Sequence, residues 1–198
     1  MSRGRGGGQV RIIAGRWRGR RLPVVDGPGL RPTPDRVRET LFNWLAPELA
    51  GARCLDLFAG TGVLGLEALS RGAAEAVLVE RARPVARILT EQLERLGADG
   101  ARLVEQDALA WLCGPATPYD IVFLDPPFEG GFWEPVAAAL ESAGWLAPNA
   151  LIYAETPSQV AEPVWPANWR GHRQRIAGGV RYDLLRRESP ATPRAEEA

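Results

Sequence analysis

The sequence predicts an α/β protein: a mostly parallel, seven-stranded sheet with helices on both faces, ending in an antiparallel hairpin. Three observations lead there. Between positions 53 and 155, short apolar runs alternate with amphipathic segments of helix length, the order that builds parallel strands through crossover helices. A glycine-rich loop joins the first of these runs to the first of these helices. After position 155 the alternation stops, and Gly178 and Gly179 join two strand-like segments as a hairpin turn does. A further pair of short strands, rich in arginine, precedes all of this as a basic N-terminal β-hairpin extension.

The elements follow in order. Residues 1–8 are Gly and Arg and predict a disordered basic tail. Gln9–Ala14 and Arg20–Val25 read as strands around a turn at Gly15–Gly19. Thr33 is placed to cap the next helix, Pro34 suits its first turn, and Asp35 complements its dipole. Val37, Leu41, Trp44 and Leu45 form its apolar face, and Pro47 marks its end. Strands are expected at Arg53–Phe58, Ala76–Glu80, Ala101–Gln106, Tyr119–Leu124 and Leu146–Glu155. Helices are expected at Val63–Arg71, Pro84–Leu96, Ala108–Cys113 and Phe132–Ala143. Trp169–Ala177 and Val180–Arg187 form the closing hairpin, and residues 188–198 read as a disordered tail. The organisation is thus an extension over 9–50 and a main domain over 51–187.

Composition narrows the chemistry. The 198 residues suffice for one core plus an extension, and 45% hydrophobic with 24% charged residues fits a soluble, globular chain. No apolar run approaches the ~20 residues that span a bilayer. The start lacks the apolar block of a signal peptide, so a cytoplasmic monomer without membrane contact is expected. Cys54 and Cys113 have no metal-ligand spacing, and His172 is the only histidine. A catalytic triad or histidine metal site is therefore hard to build. The zero net charge hides an asymmetry. Residues 1–40 carry ten Arg against three acids, 41–167 seven against seventeen, and 168–198 seven against four. Basic ends suit a polyanion, and an acidic centre suits a cationic ligand.

The first expected strand of the main domain runs into Asp56, Leu57, Phe58, Ala59, Gly60, Thr61 and Gly62, with Gly65 completing a G-x-G-x-x-G pattern. Glycines there let the backbone approach a ligand at a helix N-terminus. Glu80 ends the next strand, where a carboxylate accepts hydrogen bonds from ribose hydroxyls. Two cofactors fit this loop, a nicotinamide dinucleotide and S-adenosylmethionine. Asp56 would repel a pyrophosphate but suits the ammonium of a methionine moiety. Asp107 is placed either to contact an adenine edge or merely to cap the following helix. Gly65 has a plain alternative as a helix-packing glycine. Phe58, Ala59, Thr61, Arg81 and Ala108 flank these positions and belong with the cofactor-binding set.

The fourth strand of the main domain ends in Asp125, Pro126, Pro127 and Phe128. Prolines fix φ and remove N–H donors. Such a turn aims the Asp125 carboxylate and the Pro126 carbonyl at one spot, two acceptors that suit an NH₂ group. An exocyclic base amine is a poor nucleophile because its lone pair is delocalised. Two accepted hydrogen bonds would localise the pair on nitrogen, and Phe128 can stack on a splayed base. The plain alternative is a proline-rich turn with Phe128 in the core.

Together these residues resemble a known family. The stretch Leu55–Gly72 looks like the cofactor loop of the bacterial small-subunit (16S) rRNA guanine-N2 methyltransferases of RsmD type. Asp125–Phe128 matches the amino-methyltransferase motif. The blocks 11–16, 19–22 and 31–45 and the closing Gly178–Tyr182 are also similar, and the N-terminal block is the specific part. The resemblance implies a Rossmann-like class I S-adenosylmethionine-dependent methyltransferase. It implies S-adenosylmethionine held by Asp56, Gly60, Gly62, Glu80 and Asp107, with catalysis around Asp125–Phe128. The implied substrate is a guanine in small-subunit rRNA, presented within an assembling ribosomal particle. Arg11, Arg16, Arg18, Arg20, Arg21 and Arg31, with Trp17 among them, form the expected RNA-binding arm, since Arg pairs with phosphate and Trp stacks on bases. The leading rival is an adenine-N6 methyltransferase on RNA or DNA, because the Asp125 motif does not read the base. An NAD-dependent oxidoreductase lacks a hydride-transfer acid or base here, and a binding module would not need Asp125. Cytosine-C5 methylation is disfavoured because neither cysteine follows a proline.

Overall fold

The computed structural model describes residues 8–24 and 33–189. The chain opens with β1 (Gln9–Arg11) and β2 (Arg21–Pro23), paired antiparallel with Val10 opposite Leu22. Both strands are shorter than expected. Past Arg11 only Ile12 still exchanges backbone hydrogen bonds, with Arg20 and Gly19, and the N–H groups of Ile13 and Ala14 then go to the Glu67 carboxylate, at 2.7 and 3.0 Å. Gly15 and Gly19, both near φ +80°, then turn the chain.

Helix α1 (Asp35–Leu49) buries Val37, Leu41, Phe42, Leu45 and Leu49. Two expectations about its ends change. Thr33 does not cap it; the hydroxyl donates instead to Glu155 at 2.7 Å, and the helix starts from the Pro34 carbonyl. Pro47 does not end it, and the helix continues to Leu49. A proline so near the C-terminus sacrifices one N–H while Leu49 gains burial in the core.

Alternation then follows: β3 (Arg53–Asp56), α2 (Val63–Ser70), β4 (Glu75–Val79), α3 (Arg83–Leu96), β5 (Ala101–Val104), α4 (Ala108–Leu112), β6 (Tyr119–Leu124), α5 (Trp133–Ser142) and β7 (Leu146–Pro157). The closing hairpin is β8 (Trp169–Ala177) and β9 (Val180–Arg187). The seven strands lie in the order β5-β4-β3-β6-β7-β9-β8. They run parallel through β7, and β9 pairs antiparallel with both β7 and β8. β7 outruns its expected end because β9 keeps pairing as far as Pro157 opposite Val180. On edge strand β8 the register shifts between Gly171 and Arg173.

Side chains alternate across the sheet and divide the core. Cys54, Phe123 and Tyr153 face one side, with Phe42 and Leu45 of α1, Leu66 of α2, and Val10, Ile12, Trp17 and Leu22 of the N-terminal hairpin. Leu55, Val122 and Ile152 face the other, with Val136, Leu140 and Trp145. The N-terminal extension thus shares a core with the main sheet.

Polar contacts secure that docking. Glu67 on α2 is fully buried, and besides the two backbone N–H groups it pairs with Arg71 at 2.7 Å and Arg38 at 3.7 Å. Arg38, also fully buried, donates to the Arg11 carbonyl and to Asp35. Ser70 accepts from the Trp17 N–H and donates to the Ala14 carbonyl. A Cβ on Gly15 would lie 1.8 Å from the Ser70 carbonyl oxygen, so the loop sits against the end of α2 only as glycine.

Glu67→Ala takes the carboxylate from Arg71 and leaves two backbone N–H groups unpaired, and should cost about 3–5 kcal/mol. Gly15→Ala should cost about 2 kcal/mol or more, from its positive φ and the overlap with Ser70. Urea midpoints for the two variants, read at unchanged slope, check both values.

Candidate active site

Strand order reverses between β3 and β6, since β4 and β5 lie on one side of β3 and β6 on the other. In an open α/β sheet the crevice at such a switch point, outside the C-terminal strand ends, is where ligands bind. Asp56 ends β3, Glu80 follows β4, Asp107 follows β5, Asp125 follows β6, and Glu155 lies near the end of β7. One edge of the sheet therefore carries five acids.

The glycine loop is built as its sequence suggests. Gly60 and Gly62 have φ of +51° and +71°, the left-handed region open to glycine. At Gly62 a Cβ would also meet the Leu89 side chain at 2.6 Å. Glu80 accepts from the Gly60 N–H at 2.9 Å and from the Ala82 N–H at 2.7 Å, which fixes its carboxylate beside the loop. Gly65 has the packing role that its plain alternative gave it. It packs α2 against β4, where a Cβ would meet Leu78 at 2.3 Å, and its N–H donates to Asp56 at 3.2 Å.

Asp56 is buried, which pushes its pKa up to about 7. The Gly65 and Phe58 N–H groups oppose the shift, and the Glu80 charge adds to it. Asp107 caps α4, accepting from the N–H groups of Leu109 and Ala110. Its other oxygen lies 3.9 Å from the exposed Arg81 guanidinium. Phe58 packs against Phe132, centroids 5.7 Å apart, and Thr61 lies half-buried between the two loop glycines. The set fits a ligand with a cationic end and a ribose: carboxylates at both positions, a backbone open to close approach, and no Lys or Arg on the loop for a pyrophosphate.

The Asp125–Phe128 turn stands beside this loop. Burial raises the pKa of Asp125 well above the carboxylate range, and the charges of Glu155 and Asp56 push it further. Among the described residues nothing donates a hydrogen bond to its carboxylate, although part of the residue stays open to solvent. Pro126 is buried and Pro127 exposed. Phe128 is 42% exposed, with its ring 6.1 Å from that of the buried Trp133. It is a rim residue and not part of the core.

Three groups at this site escaped the sequence reading. Glu155, 5% exposed, accepts at Oε1 from Thr33 at 2.7 Å and from the Tyr153 hydroxyl at 2.8 Å. Trp133 donates its indole N–H to the Glu155 carbonyl at 2.8 Å. One more acid at the end of an apolar strand, after Asp56, Glu80 and Asp125, is the available signal for Glu155; its partners are visible only in space.

The arm departs from expectation at one position. Arg16, Arg18, Arg20 and Arg21 are exposed, and Arg11 is exposed while paired to Asp35 at 2.7 Å. Trp17, 7% exposed, lies in the core with the Arg16 guanidinium 5.3 Å from its ring centroid, so its ring is not available to stack on a base. Arg31 falls outside the described residues. A pocket of about 410 Å³ lies at the opposite, N-terminal ends of the strands, near Asp120, and one of about 370 Å³ lies between Tyr119 and α4, with Gln106 and Ala110 in its lining.

With this geometry in place, comparison with known proteins is informative. Residues 10–186 match the family model described as Conserved hypothetical protein 95. The ribosomal RNA small subunit methyltransferase D of Escherichia coli K12 is 55% identical over 184 residues, 93% of each chain. The chain belongs to this methyltransferase family. Its Haemophilus influenzae relative of the same name is 46% identical, covering 89% of this chain and 93% of that one. The solved structure of a putative methyltransferase, yhhF from Escherichia coli, superposes with a TM-score of 0.86 at 53% identity, over 91% of this chain and 99% of that one. The fold is accordingly the Rossmann-like class I methyltransferase fold, with the N-terminal hairpin added. No helix among the described residues is long and apolar enough to cross a membrane.

Asp56 yields a prediction with a definite sign. A carboxyl whose folded pKa is raised is protonated more readily when folded, so its ionisation costs stability as pH rises from about 4 to about 7. Asp56→Asn should therefore gain on the wild type by about 4 kcal/mol across that window, with a level difference above it. Denaturant melts at several pH values, taken as the difference between the two proteins, measure this.

Proposed function

We propose that this protein is an S-adenosylmethionine-dependent methyltransferase acting on the exocyclic N2 amine of a guanine in small-subunit (16S) rRNA during ribosome assembly. The observation that carries methyl transfer to an amine is the Asp125 carboxylate. It is an acceptor without a donor, next to the Pro126 carbonyl and one strand from the glycine loop. The relatives in Escherichia coli and Haemophilus influenzae, small-subunit rRNA methyltransferases by name, support rRNA of the small subunit as the substrate. The choice of guanine over adenine rests on the resemblance in the N-terminal block.

In this reading Glu80 holds the cofactor ribose, Asp56 and the Gly60–Gly62 backbone hold its methionine end, and Asp107 contacts the adenine. The cofactor supplies a methyl group activated by a sulfonium charge. Asp125 and the Pro126 carbonyl accept the two N–H groups of the target amine and free its lone pair for in-line attack. Asp125 would then take the proton that the nitrogen sheds on gaining the methyl group. Phe128, on its Trp133 support, stacks on the flipped base. Residues 9–50 act as the RNA-binding extension of a catalytic domain over 51–187, with exposed arginines on phosphates.

Incubation of the protein and S-adenosylmethionine with small-subunit particles, then digestion to nucleosides, should yield N2-methylguanosine. N6-methyladenosine would support the rival instead. Asp125→Ala should lower kcat by about 10²-fold or more. Asp125→Asn keeps an acceptor oxygen but cannot take the proton, so it should retain more activity than Asp125→Ala and less than the wild type, while losing the fall in rate on acidification that protonation of Asp125 causes in the wild type. For the arm, log affinity against log salt should flatten by about 0.7 for each phosphate contact removed among Arg16, Arg18 and Arg20. An unchanged slope in the triple alanine variant would remove the arm from the interface.

A further inference from the structure

Glu155 is buried beside the catalytic turn, yet the proposed methyl transfer gives it no task. Its placement is specific. Leu124 on β6 pairs with Ala154 on β7, so Asp125 and Glu155 are the next neighbours across the ladder. Phe123 and Tyr153, two residues before each, meet edge to face at 6.5 Å, which sets the side of the sheet for both acids. The two hydroxyl donors, Thr33 and Tyr153, both address Oε1. Tyr153 stays a donor because burial and the Glu155 charge raise its pKa well above its ordinary range. Oε2 receives no hydrogen bond among the described residues, although Glu155 is 5% exposed. A carboxylate with one oxygen clamped and the other bare, next to an unpartnered Asp125, offers a row of acceptors to whatever enters the cleft.

Base chemistry says what such a row selects. The amine of adenine is flanked on the Watson–Crick edge by N1, and that of cytosine by N3; both are acceptors. Only guanine sets a donor, N1–H, beside its amine. A carboxylate next to the amine-binding acceptors repels adenine and cytosine and pairs with guanine. We propose that Glu155 is the base-selecting residue: Oε2 accepts guanine N1–H while Asp125 and the Pro126 carbonyl take the N2 hydrogens. Thr33 and Tyr153 are positioning residues that fix which oxygen faces the base. This inference deepens the proposed function and rests on it.

The clamp makes the test sharp. In Glu155→Gln the two hydroxyls hold the amide oxygen, which turns the NH₂ group toward the base. The site then offers a donor where guanine also has a donor. 2-Aminopurine keeps the 2-amine but has an acceptor N1. The substrates are small-subunit particles whose rRNA carries guanine or 2-aminopurine at the guanosine mapped for the wild type. The wild type should methylate guanine at least 100-fold faster than 2-aminopurine. Glu155→Gln should lose 100-fold or more on guanine and bring the two rates within tenfold or invert them. S-adenosylmethionine affinity, measured by calorimetry, should be unchanged, which shows that the variant is folded.

A role confined to structure would lower both rates equally, and an unchanged ratio overturns the proposal. If Glu155→Gln fails to fold, Thr33→Val carries the same test. It removes one clamp and should narrow the ratio by about tenfold, and an unchanged ratio there is equally fatal. A wild type that forms N2-methylguanosine while the ratio stays fixed in the variants refutes only this inference. A wild type that methylates adenosine instead refutes the function itself and this inference with it.

Discussion

The buried carboxylate of Glu67 is the contact on which the two parts of this molecule depend. It accepts two backbone N–H groups from the N-terminal segment and pairs with Arg71 and Arg38. A charge taken wholly out of water is tolerable only when it is paired and hydrogen-bonded, and here three hydrogen bonds and two guanidinium groups surround it. The same helix begins at the glycine loop and ends at Ser70, which takes the Trp17 N–H. One short helix thus presents its first turn to the cleft and its last turn to the arm. Since α2 is about 12 Å long and packed on its whole buried side, movement of the arm as a rigid unit would load the glycine loop directly.

The opposite logic operates at the strand ends. Asp56, Asp125 and Glu155 are all raised in pKa by burial, and Asp125 by the other two charges as well. Among the described residues no arginine pairs with them in the cleft. A fold selected for stability alone would pair these acids, as it pairs Glu67 and Glu141 with arginines elsewhere. Leaving them as acceptors keeps the cleft poised for cations and for N–H donors, which are the groups a sulfonium cofactor and a base amine bring.

The residues that could be read from the sequence are those whose place depends on local order. Gly60, Gly62, Glu80 and Asp125 each sit at a strand-to-helix boundary, and the alternation of apolar runs locates those boundaries. Thr33 and Glu155 lie 122 positions apart and meet only because β7 brings Glu155 to the sheet edge beneath the segment leading into α1. Thr33 was therefore assigned the local role its neighbours suggest, a helix cap. Trp17 illustrates the same limit from the other direction. Flanked by arginines it resembles a binding residue, and only the packing of the hairpin on α2 shows that it belongs to the core. Of the two readings that the sequence offers for Asp107, an adenine contact and a cap, the cap is local and is present, since both its donors lie within three residues.

The register shift in β8 has a consequence beyond the hairpin itself. The outermost strands of a sheet expose unpaired N–H and C=O groups and are templates for another chain. Here one edge, β5, is only four residues long. The other, β8, carries Arg170, Arg173 and Arg175 and breaks its spacing at Gly171. A foreign strand laid against it would meet like charges and a ladder out of step. Both margins are thereby poor templates for a second copy of the same strand, because one offers few backbone groups and the other sets arginine against arginine.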